Sequence, residues 1–312
     1  MNTLLSFILI FLFHTWVFTQ EVHLEIGAQG ALFSEKGDTI LFYRSAEKDL
    51  NGTYARANYI HPLYSLDGAI LTEDFPADHL HHRGIFWAWH QLYVGEKRIG
   101  DGWETRNFSW KVKSVEKVSG KKKPKSIRVQ VDWLSPLWMD QNGIPKPMVS
   151  EETTITVYPR KKDRRAIDIE ISMLALEPDT RIGGSEDEKG YGGFSPRIRL
   201  PEDVRFRGAA GPVELRVTPV KARGWMDISG SIGKEGALVG LAILSHPDNP
   251  GYPNPWILRA KGSMQNAVWP HPGAQAVPLS NSEPTVLRYR LILHDGLDEK
   301  KLGKLHAEFG KQ

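Results

Sequence analysis

Alternation of apolar and polar residues in period two recurs along this chain and commits it to a fold built from strands. Residues 126–133 and 153–158 alternate strictly. Residues 166–173 place Ile167, Ile169 and Ile171 on one face and Asp168, Glu170 and Ser172 on the other, because successive strand side chains point to opposite sides. Further strands are expected at 22–26, 40–43, 213–219, 237–244 and 285–293. Only 298–309 reads as a helix, with a short turn near 79–83. The 29 glycines and 20 prolines concentrate between the strands, as in a sandwich or barrel of many short strands. Strands and helices do not alternate, which argues against a doubly wound nucleotide-binding fold. The expected fold class is all-β: a large antiparallel β-sandwich with few short helices, forming one domain over residues 21–312.

The apolar run 4–13 is shorter than the roughly 20 residues a membrane span needs and suits the core of a secretory signal peptide. Residues 1–20 are therefore expected to be removed, leaving a secreted or periplasmic protein with no integral membrane span. The chain has no cysteine, which excludes disulfides, thiolate metal sites and cysteine nucleophiles. Stability must come from the core, and a chain that is 40% hydrophobic can build a large one. The 40 basic and 37 acidic residues nearly cancel, so there is no electrostatic footprint for nucleic acid. The basic runs 121–125 and 160–165 read as solvated hairpin loops.

Five of the 11 histidines fall between His61 and His90. The densest part is Asp78, His79, His81, His82 and Arg83, followed by Gly84. Extended, this stretch puts His79 and His81 on one face. As a helical turn, it brings His79 and His82 together. Either arrangement offers two nitrogen ligands or a histidine oriented by a carboxylate. The bland alternative is a buried polar network that staples a loop to the sheet. The zinc signature His-Glu-x-x-His is absent. Trp87, Trp89 and Tyr93 alternate and read as sheet core, whereas Trp103, in a glycine-flanked loop, reads as an exposed platform for a sugar ring. The glycine-rich loop 183–197 carries Lys189 and Arg197 and is suited to closing over a substrate. In 245–259 four prolines stiffen a segment that holds His246, Trp256 and Arg259.

Taken together, His61-Pro62, the Asp-His-x-His-His-Arg-Gly core at 78–84, Lys189-Gly190, Phe194 with Arg197, His246-Pro247, and Pro253 to Arg259 resemble the secreted PmoA-like family of unknown function. The resemblance spans most of the mature chain. It implies a mutarotase-like supersandwich and a carbohydrate context, and it supplies no reaction.

Three functions are consistent with these residues. The first is a carbohydrate-active lyase, hydrolase or epimerase. His79, His81, His82 and His246 would then carry acid–base chemistry, and Arg83, Trp103, Lys189, Arg197, Trp256 and Arg259 would bind the substrate. A retaining glycosidase would need two carboxylates about 5 Å apart. Glu73, Asp78, Glu170 and Asp187 are candidates, but no spacing selects a pair. The second is a non-catalytic glycan-binding protein. The third is an oxidoreductase with a divalent metal held by His79, His81 and His246. The expectation common to all three is one polar pocket that joins residues 78–83 to His246, with Arg197 in reach.

Overall fold

A computed structural model describes residues 21–118, 120 and 124–312; the proposed signal segment 1–20 and most of the basic run 121–125 lie outside the described residues. Two large sheets dominate, and every strand pairing in them is antiparallel. The nine-stranded sheet has at its centre Val149–Val157, Arg164–Ala175 and Thr285–His294. Its buried residues alternate as the sequence predicts: Ile167, Ile169 and Ile171 are all in the core. The eight-stranded sheet runs in the order Val22–Gly27, Gly30–Glu35, Asp38–Arg44, Tyr59–Leu63, Ile85–Trp89, Gly192–Pro196, Asn266–Val268 and Trp256–Ile257. A smaller sheet contains Gln91–Val94, Lys97–Gly100 and Thr180–Gly183.

The two large sheets pack face to face. Phe194 of one stacks on Tyr289 of the other at 4.3 Å, and Trp89 meets Trp133 at 5.5 Å. Between them lies Glu151, fully buried, which accepts hydrogen bonds from Asn58 Nδ2 (2.7 Å), Trp87 Nε1 (2.9 Å), Trp133 Nε1 (2.8 Å) and Thr153 Oγ1 (2.7 Å). Burial pushes its carboxyl above the usual range, and these four donors offset part of that cost.

The helix Glu299–Phe309 forms as expected. Asp298 caps it by accepting from Lys301 N, and it buries Leu302 and Phe309 against Trp225, Leu244 and Ile292 on the outer face of the nine-stranded sheet. The expected strand at 213–219 is not formed. Beyond Gly211–Pro212 the chain is irregular, and the carbonyls of Arg216 and Val217 accept from the Arg259 guanidinium instead of from a neighbouring strand. Among the described residues no helix is long and apolar enough to cross a membrane.

Candidate functional site

Strand parity decides which side chains meet. In Ile85–Trp89, Trp87 and Trp89 point inward, to Glu151 and Trp133. Phe86, Ala88 and the following His90 therefore face outward. In Gly192–Pro196, Phe194 points inward to Tyr289, so Tyr191 and Arg197 share the outward side. On that outer face the loops 76–83, 101–106 and 185–191 come together.

Loop 76–83 is neither extended nor helical. It is two successive turns, closed by His79 N donating to Pro76 O (3.0 Å) and His82 N donating to His79 O (2.9 Å). The turns gather three imidazoles: His79 and His82 are stacked at 4.7 Å, and His81 sits edge-on to His82 at 4.5 Å. Gly84, at φ +45°, ends the loop where a Cβ would lie 2.0 Å from Ile60 O, a position only glycine tolerates.

Asp78 accepts two bonds from Arg197, Nη2 at 2.6 Å and Nη1 at 3.0 Å, and one from His79 Nδ1 at 2.8 Å. A carboxylate can only accept, so His79 donates through Nδ1, and the neutral imidazole then has its lone pair on Nε2. Burial raises the Asp78 carboxyl, but the bonds from Arg197 and His79 outweigh it and hold the group below the usual range. The His79 side chain is 42% exposed. His81 and His82 are shifted the other way. Burial, followed by the fields of Arg56, His79 and His90, lowers His81 to about 3. Burial, followed by His81, His79 and Arg197, lowers His82 further. Both are neutral at physiological pH. His82 Nδ1 lies 3.4 Å from Arg197 Nη1, which can only donate, so His82 keeps its proton on Nε2.

The Trp103 indole forms the floor of the site. It was expected to be an exposed platform, yet it is 2% exposed. The turn at Asp101–Arg106 folds it over Phe86 (5.4 Å), with His90 stacked on it at 5.3 Å, Tyr191 at 5.7 Å and His82 edge-on at 6.0 Å. His90 Nδ1 donates to Asp101 Oδ2 at 3.1 Å, and Asp101 also accepts from Glu104 N at 2.9 Å. Glu104 in turn reaches His81 Nε2 at 3.6 Å. Lys189 pairs with Asp187 at 3.5 Å above the Tyr191 ring, and Arg259 Nη2 donates to Tyr191 OH at 2.8 Å. These two cations therefore border the site through Tyr191.

Several expected site residues have other duties. Arg83 is fully buried and structural. Its Nε donates to Asp74 (2.5 Å), Nη1 to Lys48 O and Tyr54 O, and Nη2 to Tyr59 OH (2.6 Å). Arg197 is buried too, and is shared between Asp78 and Glu73 (2.7 Å). Trp256 is fully buried near the edge of the eight-stranded sheet, with Nε1 towards Arg223 O.

His246 does not join the cluster. It follows Val239–Ser245 of the other large sheet, and its ring meets Phe309 of the helix at 5.0 Å. The expected ligand set His79, His81 and His246 is therefore not assembled, and among the described residues no three His, Asp or Glu side chains are placed to hold a metal ion together. Of the four carboxylates considered, Glu73 and Asp78 share Arg197, Glu170 pairs with Arg288 in the other sheet, and Asp187 closes its own turn.

The sequence reading counted His90 in the histidine-dense segment without giving it a role, and it gave none to Asp101, Glu104 or Tyr191. Parity held the signal for two of them: His90 alternates with the inward Trp87 and Trp89, and Tyr191 is in phase with Arg197.

Comparison with known proteins places the chain without assigning it a reaction. It belongs to DUF6807, a family of unknown function, whose model matches residues 32–307. The narrower PmoA-like name is not the one matched. No curated protein matches the sequence. Among solved structures, the alpha-galactosidase from Lactobacillus brevis aligns at 9% identity and a TM-score of 0.37, over 90% of this chain and 39% of that one. The chain thus spans about two fifths of that enzyme's length.

Proposed function

We propose that this member of the DUF6807 family is an exported enzyme that acts on a sugar or sugar derivative by histidine acid–base chemistry, with His79 as the proton acceptor. One observation carries the reading: Asp78, clamped by Arg197, fixes the His79 tautomer and leaves Nε2 unbonded on a 42% exposed side chain. An oriented imidazole with a free lone pair is the usual general base near neutral pH. His81 and His82, held neutral beside it, can bind or relay without adding charge. The carbohydrate substrate, the PmoA-like kinship with its mutarotase-like supersandwich, and export through residues 1–20 belong to the same proposal. They rest on the motif resemblance and on the apolar run 4–13.

The test is turnover of a panel of polysaccharides, oligosaccharides and uronic-acid derivatives, with products followed by NMR, for wild type and His79→Ala. Loss of a general base costs about 10²–10⁴-fold, so the variant is expected to lose at least about 100-fold in kcat/KM while binding persists. Turnover unaffected by His79→Ala would remove His79 from the chemistry. Tight binding of a glycan with no turnover by the wild type would instead establish the glycan-binding alternative.

A further inference from the structure

The site contains a second histidine–carboxylate pair that the reading above does not use. His90 leaves the strand Ile85–Trp89 on the outward side, lies against the Trp103 indole at 5.3 Å, and is aligned by Asp101 at 3.1 Å. Asp101 is itself fixed. It accepts from Glu104 N at 2.9 Å, and its backbone closes the turn with Arg106 by two bonds of 2.9 Å. Burial raises its carboxyl, but the bond and charge of His90 and the bond from Glu104 hold it low. Asp101 can only accept, so the His90 proton sits on Nδ1. Its Nε2 makes no hydrogen bond, and it is not among the sealed polar atoms of the interior.

The tautomer is therefore the same as that of His79. It is opposite to that of two buried histidines with other roles. His82 accepts at Nδ1 from Arg197. His294 accepts at Nδ1 from Leu297 N and donates through Nε2 to Asp227.

We propose that His90, aligned by Asp101, is the second proton-transfer residue of this site, so that the substrate loses a proton to one imidazole and gains one from the other. This rests on the acid–base reading of His79. The step balances without a co-reactant. One imidazole starts neutral and takes a substrate proton at Nε2. The other starts as imidazolium and gives its Nε2 proton to the substrate. Net charge is unchanged, and the two groups exchange roles or re-equilibrate with solvent before the next turnover. Such a pair suits an isomerisation or epimerisation of a sugar derivative, or an elimination from one, in which a proton leaves one atom as another atom is protonated.

The experiment needs no substrate. Diethyl pyrocarbonate acylates an imidazole nitrogen that carries a lone pair, and peptide mass spectrometry of the intact, folded protein gives the rate at each histidine. His90 is expected to react at least as fast as the exposed His23 and His271, although its side chain is only 15% exposed. His79 should react comparably, and His82 and His294 at least about ten-fold more slowly. Asp101→Asn should slow His90 about ten-fold while leaving the rate at His79 unchanged in the folded protein, whereas an Asp101 that only held the turn would alter both rates or neither. If His79 reacts and His90 does not, the second residue is refuted and the single-base reading stands. If neither reacts, both readings fall. If His90 reacts equally fast in Asp101→Asn, it is an ordinary surface histidine and the proposal is overturned.

Discussion

Arg83→Ala should destabilise this protein without removing any contact to a ligand. The guanidinium has no solvent exposure. It satisfies one carboxylate, two carbonyls and one phenol, all through donors 2.5–3.0 Å from their acceptors, and it lies over the Phe75 ring at 3.5 Å. Truncation leaves Asp74 with Lys48 as its remaining cation (2.6 Å) and removes the donor that Lys48 O, Tyr54 O and Tyr59 OH share. Breaking a buried pair of this kind costs about 3–5 kcal/mol. An unfolding entropy of about 2.1 cal/mol/K per residue over roughly 290 residues converts 4 kcal/mol into a fall of about 7 °C in Tm. Urea denaturation followed by tryptophan fluorescence reads the same change as a lower midpoint at constant slope. Arg83→Lys should recover little, because one ammonium cannot span four acceptors on different sides. A loss below about 1 kcal/mol together with lost binding would refute the reasoning and return Arg83 to the substrate site.

Stability should fall as pH drops from about 6.5 towards 4. His61, held at about 4 by burial, His81, at about 3, and the still lower His82 stay neutral in the fold while the unfolded chain takes up protons. Three such protons give a ceiling of about 4 kcal/mol per pH unit, reduced by Glu151, whose raised carboxyl acts in the opposite sense above its ordinary value. Urea midpoints equal at pH 7 and pH 5 would contradict this. Glu151→Ala should cost several kcal/mol by orphaning two indole N–H groups and Asn58 Nδ2 between the sheets; an unchanged denaturation midpoint would show that water replaces the carboxylate. Gly84→Ala should also destabilise, because its Cβ would lie 2.0 Å from Ile60 O. A melting temperature within a degree of wild type would mean that the loop simply shifts.

What could be read from the sequence follows the range of each interaction. Ile167, Ile169 and Ile171 announced their strand because burial of one face imposes a two-residue period. The Asp298 cap and the helix behind it were legible because both are local. The stretch 213–219 had the right pattern and failed, since its carbonyls are taken by Arg259, about 40 residues away. In the site, the clustering of His79, His81 and His82 was visible in one short segment. The burial of Trp103 was not, because it depends on Tyr191, which arrives on the distant loop before Gly192–Pro196. The separation of His246 was not visible either. It is set by strand order: Val239–Ser245 pairs within the nine-stranded sheet, while Arg197 follows a strand of the other sheet.

Staple and site are usually weighed as alternatives for a dense run of charged and histidine residues, and under the function proposed above the same seven residues would do both. Arg83 fastens the end of the loop to Asp74 and the chain around Lys48 and Tyr54. Arg197 fastens its beginning by gripping Asp78, with Glu73 on its other side. Neither guanidinium has its full charge left for a ligand. Between these two anchors the loop has little freedom, which is what a proton-transfer group requires: an imidazole that wanders spends most of its time out of line. The consequence can be separated experimentally. Asp78→Asn keeps the volume and weakens the grip on the His79 tautomer, so it should lower any His79-dependent turnover by more than it lowers stability. Arg83→Ala should do the reverse. If both variants lost stability and turnover in the same proportion, the loop would be acting only as a fastening, and the case for His79 would fail with it.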